Sequence, residues 1–211
     1  RLRFETVLRA SGPGQLDVAE DRCTWRLDLA PGEGASLELI VDAHDPDLPL
    51  DDAARAERLR AQEAWHQSMV RIAVPGNRVV EAVLARARED LASFPLLEGE
   101  RGEWLTLQAG IPLYPAFFGR DALTAGWQAG MMDGGAMLDA ALTRLGRLQA
   151  TADDEWRDAE PGRLPYQCRS GPLARLNLNP YSAYYADFAS PLMYVISLAN
   201  LFAWTGDAAA Y

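Results

Sequence analysis

The chain has 211 residues, 49% of them apolar, and 30 acidic side chains against 20 basic ones give a formal net charge of −10. Every basic residue is an arginine, and so acidic a chain is a poor partner for nucleic acid or an anionic membrane surface, both of them polyanions. Two cysteines (Cys23, Cys168) and two histidines (His44, His66) provide no disulfide framework, redox spacing or histidine-rich metal site, so no metal and no cofactor are expected.

No stretch reads as membrane-spanning. The most apolar run, residues 188–204, is shorter than the ~20 residues a bilayer requires and contains Ser197 and Asn200. The chain opens at Arg1 inside a strand-like stretch and without an initiating Met. The protein's own N-terminus is therefore expected upstream, which leaves a leader peptide an open question. A cytoplasmic setting is the expectation adopted.

Taken in order, residues 2–9 alternate, with Leu2, Phe4 and Leu8 opposite Arg3, Glu5 and Arg9. Cys23, Trp25, Leu27 and Leu29 alternate with Thr24, Arg26 and Asp28, and a third run, Leu37 to Val41, follows the turn Pro31-Gly32-Glu33-Gly34. Period-two patterning with such punctuation predicts antiparallel strands with one buried face, which needs a covering layer. Residues 1–45 are expected to be the C-terminal strands of a β-sandwich belonging to a longer protein. Residues 46–72 begin as an acidic, proline-bearing linker and continue as a solvated connecting helix over 53–69, anchored by Trp65. His44 is read as a loop residue and His66 as a surface or packing residue.

From residue 73 the pattern becomes helical. Val80, Val83, Leu84, Ala87 and Leu91 mark an amphipathic helix ending before Pro95. A polar loop with Gly99 and Gly102 leads through Trp104 to the stretch from Gly110 to Met132. There Pro112 and Pro115 stiffen an extended lead-in, crowded by Tyr114, Phe117 and Phe118. Gly119 frees the turn, and Arg120-Asp121 opens a helix. Its Leu123, Trp127 and Met131 form one stripe, and Ala122, Gly126, Ala129 and Gly130 form a face small enough for another helix to approach closely. A helix with Leu138, Leu142 and Leu145 on one face follows, then a long excursion over 151–187, too aromatic for disorder. The last helix, 189–205, is apolar nearly all round, as an interior helix is.

Asp121, near a helix N-terminus, is favoured in its ionised form and so suits hydrogen-bond acceptance better than proton donation. Arg120 brings five donors in a rigid fork. Together they could hold a sugar's hydroxyls from two sides; equally, Asp121 could cap its helix and Arg120 be a surface charge. Paired helices with aromatic loops before the more buried partner suit a toroid of hairpins whose inner helices aim their N-termini at a central cavity. An ordinary helical domain with long surface loops is the other reading.

The run Gly110-Ile111-Pro112 through Phe118-Gly119-Arg120-Asp121 resembles the G-I-P-W-F-x-T-P-F-G-R-D signature of bacterial and archaeal type glycogen debranching enzymes, the amylo-α-1,6-glucosidase family. Glu160-Pro161-Gly162-Arg163 is similar to that family's E-P-G-K, and Arg169-Ser170-Gly171 to its R-x-G. Tyr184-Tyr185, Ser190-Pro191-Leu192 and Trp204-Thr205-Gly206-Asp207 resemble its Y-Y-G, T-P-L and W-T-G-D, in the same order. The resemblance implies a mostly α protein. Residues 73–211 would be the first part of an (α/α)6 toroid, preceded by the last strands of an antiparallel β-sandwich. It implies a glycoside hydrolase acting on α-1,6 branch points of a glycogen-like glucan, or on a related α-glycoside, by inversion between two carboxylates about 6.5–9.5 Å apart. Both catalytic carboxylates are expected beyond residue 211, leaving this piece alone inactive, with an oligo- or polysaccharide as its only expected partner. By resemblance Arg120 and Asp121 would grip the terminal sugar, and Tyr114 and Phe118 would pack on a ring face. Glu160, Arg163, Gln167, Arg169, Tyr185 and Asp187 would line the same mouth.

There are departures. Leu113 stands where the family has Trp, Gln167 stands where it has Glu, and the segment ending at Asp187 is one residue shorter. A non-catalytic carbohydrate-binding or scaffolding module on the same toroid is the alternative that Leu113 and Gln167 favour. A terpene cyclase on a helical toroid is disfavoured by the lack of an Asp-rich metal motif.

Overall fold

The computed structural model describes residues 4–20, 22–44, 52–98 and 103–208. The chain divides into two compact units, Arg1–Leu50 and Asp51–Tyr211.

The first unit contains β1 (Glu5–Ser11), β2 (Gln15–Val18), β3 (Cys23–Arg26) and β4 (Glu38–His44). β1 pairs antiparallel with β4, from Glu5↔His44 to Ser11↔Glu38, and β2 pairs with β3. An Arg9–Asp42 ion pair and a Ser11–Glu38 hydrogen bond hold the longer ribbon in register. β2 has no counterpart in the sequence reading, because four residues of alternation are too few to stand out. The expected buried face is not formed among the described residues: Leu8, Leu39, Ile40 and Val41 are exposed. Two-stranded ribbons cannot bury a face without a layer over it.

The second unit begins with α1 (Asp52–Ser68) and α2 (Arg78–Ala92). Asn77 starts α2 by accepting from the Val80 amide at 3.1 Å, and Glu81 reaches back to the Val74 amide at 3.0 Å. The first bond occupies a donor the first turn would otherwise leave unpaired, and the second ties the incoming chain to the helix. Trp65 anchors α1 against Leu91, Phe94, Leu107, Ala129 and Met137. The expected apolar face of α2 is only half used, with Val80 and Val83 exposed and Leu84 and Leu91 turned inward. A hairpin, β5 (Pro95–Glu98) with β6 (Glu103–Leu107), replaces part of the expected polar loop.

The centre of the unit is β7 (Phe117–Phe118), α3 (Gly119–Asp133) and α4 (Ala136–Arg147), followed by a 3₁₀ turn at Glu155–Arg157, β8 (Gln167–Cys168), the short α5 (Pro172–Arg175) and α6 (Ala189–Thr205). Gly134 and Gly135, both left-handed at φ 69° and 92°, turn α3 back on α4. The Asp133 carboxylate bridges the junction, accepting from the Gly135 and Met137 amides at 3.0 and 2.9 Å. Burial nonetheless pushes its carboxyl above the usual carboxylate range, against the pull of those amides.

The predicted stripe of α3 splits: Leu123 is fully buried, while Trp127 and Met131 are exposed. The small face is the packed one. A Cβ on Gly126 would lie 2.8 Å from Leu138 Cα, and one on Gly119 would lie 3.2 Å from the Leu145 side chain, so α4 runs antiparallel to α3. The same test places Ser190 beside Gly119 and Trp204 beside Gly130, so α6 runs parallel to α3. Phe117, Leu123, Leu138, Leu142, Leu145 and Leu201 fill the core between these helices. The expectation that α6 is enclosed on every side holds only for one side among the described residues, since Leu192, Val195 and Phe202 are exposed. The class is mixed, six helices with small antiparallel ribbons, and among the described residues no closed ring of helices forms.

Candidate active site

Three segments far apart in sequence meet at the N-terminal end of α3. β7 pairs antiparallel with β8, Phe117 opposite Cys168 and Phe118 opposite Gln167. The Gly119 amide donates to the Tyr166 carbonyl at 2.8 Å, and the Tyr184 amide donates to the Gln167 carbonyl at 3.0 Å. The proline-stiffened lead-in, the middle of the long excursion and the approach to α6 are thereby tied into one patch. Gly119 is required sterically: a Cβ there would stand 2.4 Å from the Pro165 carbonyl oxygen and 2.9 Å from Ser190 Oγ.

On this patch the rings interlock edge to face. Phe118, only 4% exposed, meets Tyr114 at 5.6 Å and Tyr166 at 5.5 Å between centroids. The Arg169 guanidinium lies 5.4 Å from the Phe118 centroid and 5.8 Å from that of Tyr181. Its Nε donates to Gln167 Oε1 at 3.0 Å. Phe118 is therefore covered from three directions, and Tyr114, half exposed, is the ring that offers a face to solvent.

Because α3 and α6 are parallel, their N-termini lie side by side, and so do the charges they carry. Arg120 and Asp121 border a cleft of about 550 Å³ whose other polar lining residues are Gln108, Thr124 and Gln128, with Gly110 and Ile111 also in its wall. Asp121 makes no hydrogen bond or ion pair with any described residue. Asp187 accepts from the Ala189 and Ser190 amides, each at 2.9 Å, and from Ser190 Oγ at 2.5 Å. Burial raises its carboxyl, but the Ser190 hydroxyl, the two amides and the nearby Arg120 charge outweigh that and hold it below the usual carboxylate range.

The remaining candidates sit elsewhere on the excursion. Glu160 and Arg163 pair with each other at 2.8 Å across the Pro161-Gly162 turn, and Arg163 also donates to the Asp158 carbonyl at 3.1 Å. Tyr185 is buried, its hydroxyl donates to the Leu148 carbonyl at 2.9 Å, and burial raises its pKa. None of these three lines the cleft, and neither do Tyr114, Phe118, Gln167, Arg169 or Asp187; of the sequence candidates it brings together Arg120 and Asp121. Tyr166, Tyr181, Gln108, Thr124 and Gln128 were not among the sequence candidates. Thr124 and Gln128 follow Asp121 at three and seven residues, a helical spacing that marks one face. Gln108 carries no such signal.

Chemically, the cleft joins a cation, a free carboxylate, two amides and a hydroxyl, a set suited to a polyhydroxylated ligand. Among the described residues no cluster of His, Cys, Asp and Glu could hold a metal ion, and no helix is long and apolar enough to cross a membrane. The chain matches no model of a known protein family and no curated protein.

Proposed function

We propose that this chain is part of a glycoside hydrolase of the glycogen-debranching type. Residues 73–211 would form the first hairpins of an (α/α)6 toroid, and the cleft at the α3 and α6 N-termini would hold the terminal sugar of a glycogen-like glucan or a related α-glycoside. The supporting observation is the parallel pairing of α3 with α6, which collects Arg120, Asp121 and Asp187 at one helix end beside the Tyr114 ring. In this role Arg120 donates to sugar hydroxyls and Asp121 accepts from them. Asp187, held ionised by its own helix, keeps Arg120 oriented and is not the proton donor. The acid and base of an inverting mechanism would come from later loops of the whole protein.

The test is titration of the complete protein with maltotriose. Arg120→Ala is expected to weaken binding by about tenfold or more, the size of a lost charge-assisted hydrogen bond, with the melting temperature unchanged. Unaltered affinity would make Arg120 a plain surface charge. Hydrolysis of a branched maltodextrin releasing the β-anomer would establish inversion. A second reading, a carbohydrate-binding module without catalysis, is favoured by Leu113 and by Gln167, a buried amide where the resemblance has a carboxylate. Binding without hydrolysis by the complete protein would decide for it.

A further inference from the structure

We infer that the cleft takes two joined sugars: a second unit, beyond the one at Arg120 and Asp121, lies along α3 and is read by Gln128. The inference rests on the carbohydrate reading above and names the substrate class within it, an oligosaccharide and not a free monosaccharide. One wall of the cleft is α3 itself, through Arg120, Asp121, Thr124, Ala125 and Gln128. Arg120 and Gln128 stand eight residues apart, about 12 Å along the axis of a helix. One pyranose ring does not span that length; two joined by a glycosidic bond do. The other wall is the chain from Leu107 to Ile111, with Phe94. Phe94 and Leu107 share an apolar cluster with Ala125 and Ala129, which lie one and two turns past Asp121. This wall therefore follows α3 well beyond its N-terminus.

The polar groups of the cleft differ in what they have left to give. Thr124 Oγ1 donates its proton to the Arg120 carbonyl at 2.8 Å, so towards a ligand it can only accept. Gln108 Nε2 donates to the Pro95 carbonyl at 3.0 Å, which fixes the carboxamide and leaves its Oε1 to accept. Gln128 has no hydrogen-bond partner among the described residues and keeps two donors and an acceptor. The Arg120 guanidinium likewise makes no hydrogen bond with a described residue. Uncommitted donors thus stand at both ends of the α3 wall, with acceptors between them. A sugar held by Arg120 and Asp121 leaves Gln128 to the next unit, and a neutral amide suits its hydroxyls. Phe94, Leu107 and Ile111 supply the apolar surface on which the C–H face of a ring packs.

The experiment compares maltotriose with glucose on the complete protein, maltotriose by calorimetric titration and glucose by its displacement of bound maltotriose. Maltotriose is expected to bind at least about tenfold more tightly. In Gln128→Ala that ratio of affinities is expected to fall by at least about threefold, the size of one lost hydrogen bond. In Arg120→Ala both affinities fall and the ratio holds. Gln128 is exposed and alanine is the better helix former, so the variant tests binding without endangering the fold. A ratio near one in the unaltered protein, or a ratio that Gln128→Ala leaves unchanged, would overturn the inference while leaving the carbohydrate reading in place. Binding of neither sugar would overturn both.

Discussion

At the scale of single residues, Gly119 decides most. It sits where β7 becomes α3, with the Pro165 carbonyl, Ser190 and Leu145 all within contact distance of a missing Cβ. Gly119→Ala is expected to cost about 1–3 kcal/mol by overpacking, read as a lower midpoint in urea unfolding, and to weaken ligand binding because α3, β8 and α6 must separate. Asp187 works through charge. Its native pKa lies below the ordinary value, so its stabilisation is complete above the unfolded carboxylate's pKa of about 3.9 and is lost as pH falls through the lowered native value. Asp187→Asn should therefore lower stability by about 1 kcal/mol at pH 7, and the gap from the unaltered protein should close on acidification below about pH 4. A gap that stays constant with pH would assign the effect to packing.

At the scale of elements, the site depends on how closely α3 meets its two neighbours. Gly126 brings α3 onto the α4 backbone at Leu138, and Gly119 and Gly130 bring it onto α6. Gly126→Leu is expected to force α3 and α4 apart and lower stability by at least about 1–3 kcal/mol, because the atoms in the way are backbone and cannot swing aside. The excursion before α6 is tied down independently, through the Tyr185 hydroxyl on the Leu148 carbonyl at the end of α4. Tyr185→Phe leaves a part-buried carbonyl without its partner and should cost about 1 kcal/mol in a melting experiment, with maltotriose affinity nearly unchanged if Tyr185 only braces the loop. A large loss of affinity at full stability would place it in the binding surface.

At the scale of the whole molecule, charge is the governing quantity. With a net charge of −10 and a sequence pI near 4.7, the protein is expected to reach zero electrophoretic mobility and minimum solubility close to that pH. The same excess of acid repels anions at long range. The apolar residues left open on α6 and on the β1–β4 ribbon are of the kind that pack against further structure.

The longer helices were legible in the sequence because their causes are local, whereas the four-residue α5 within the excursion was not. Leu138, Leu142 and Leu145 recur at the helical period and are buried as expected, and the amphipathic pattern over 78–92 announced α2 within a few residues. The four-residue strands β2 and β5 were not legible, because so short an alternation does not rise above chance. Nor could the sequence decide which face of α3 packs: Trp127 and Met131 have more apolar surface, yet the glycines win because they let two backbones come within contact. Arg120 and Asp121 could be named as candidates from their place after Gly119. That Asp187 lies beside Arg120, that Gln167 holds Arg169, and that Phe118 is covered while Tyr114 is open were decided by tertiary structure alone. The pairing of Phe117-Phe118 with Gln167-Cys168 that sets up this patch joins residues about fifty positions apart, and no local pattern of side chains encodes which distant loop a strand of two residues will pair with.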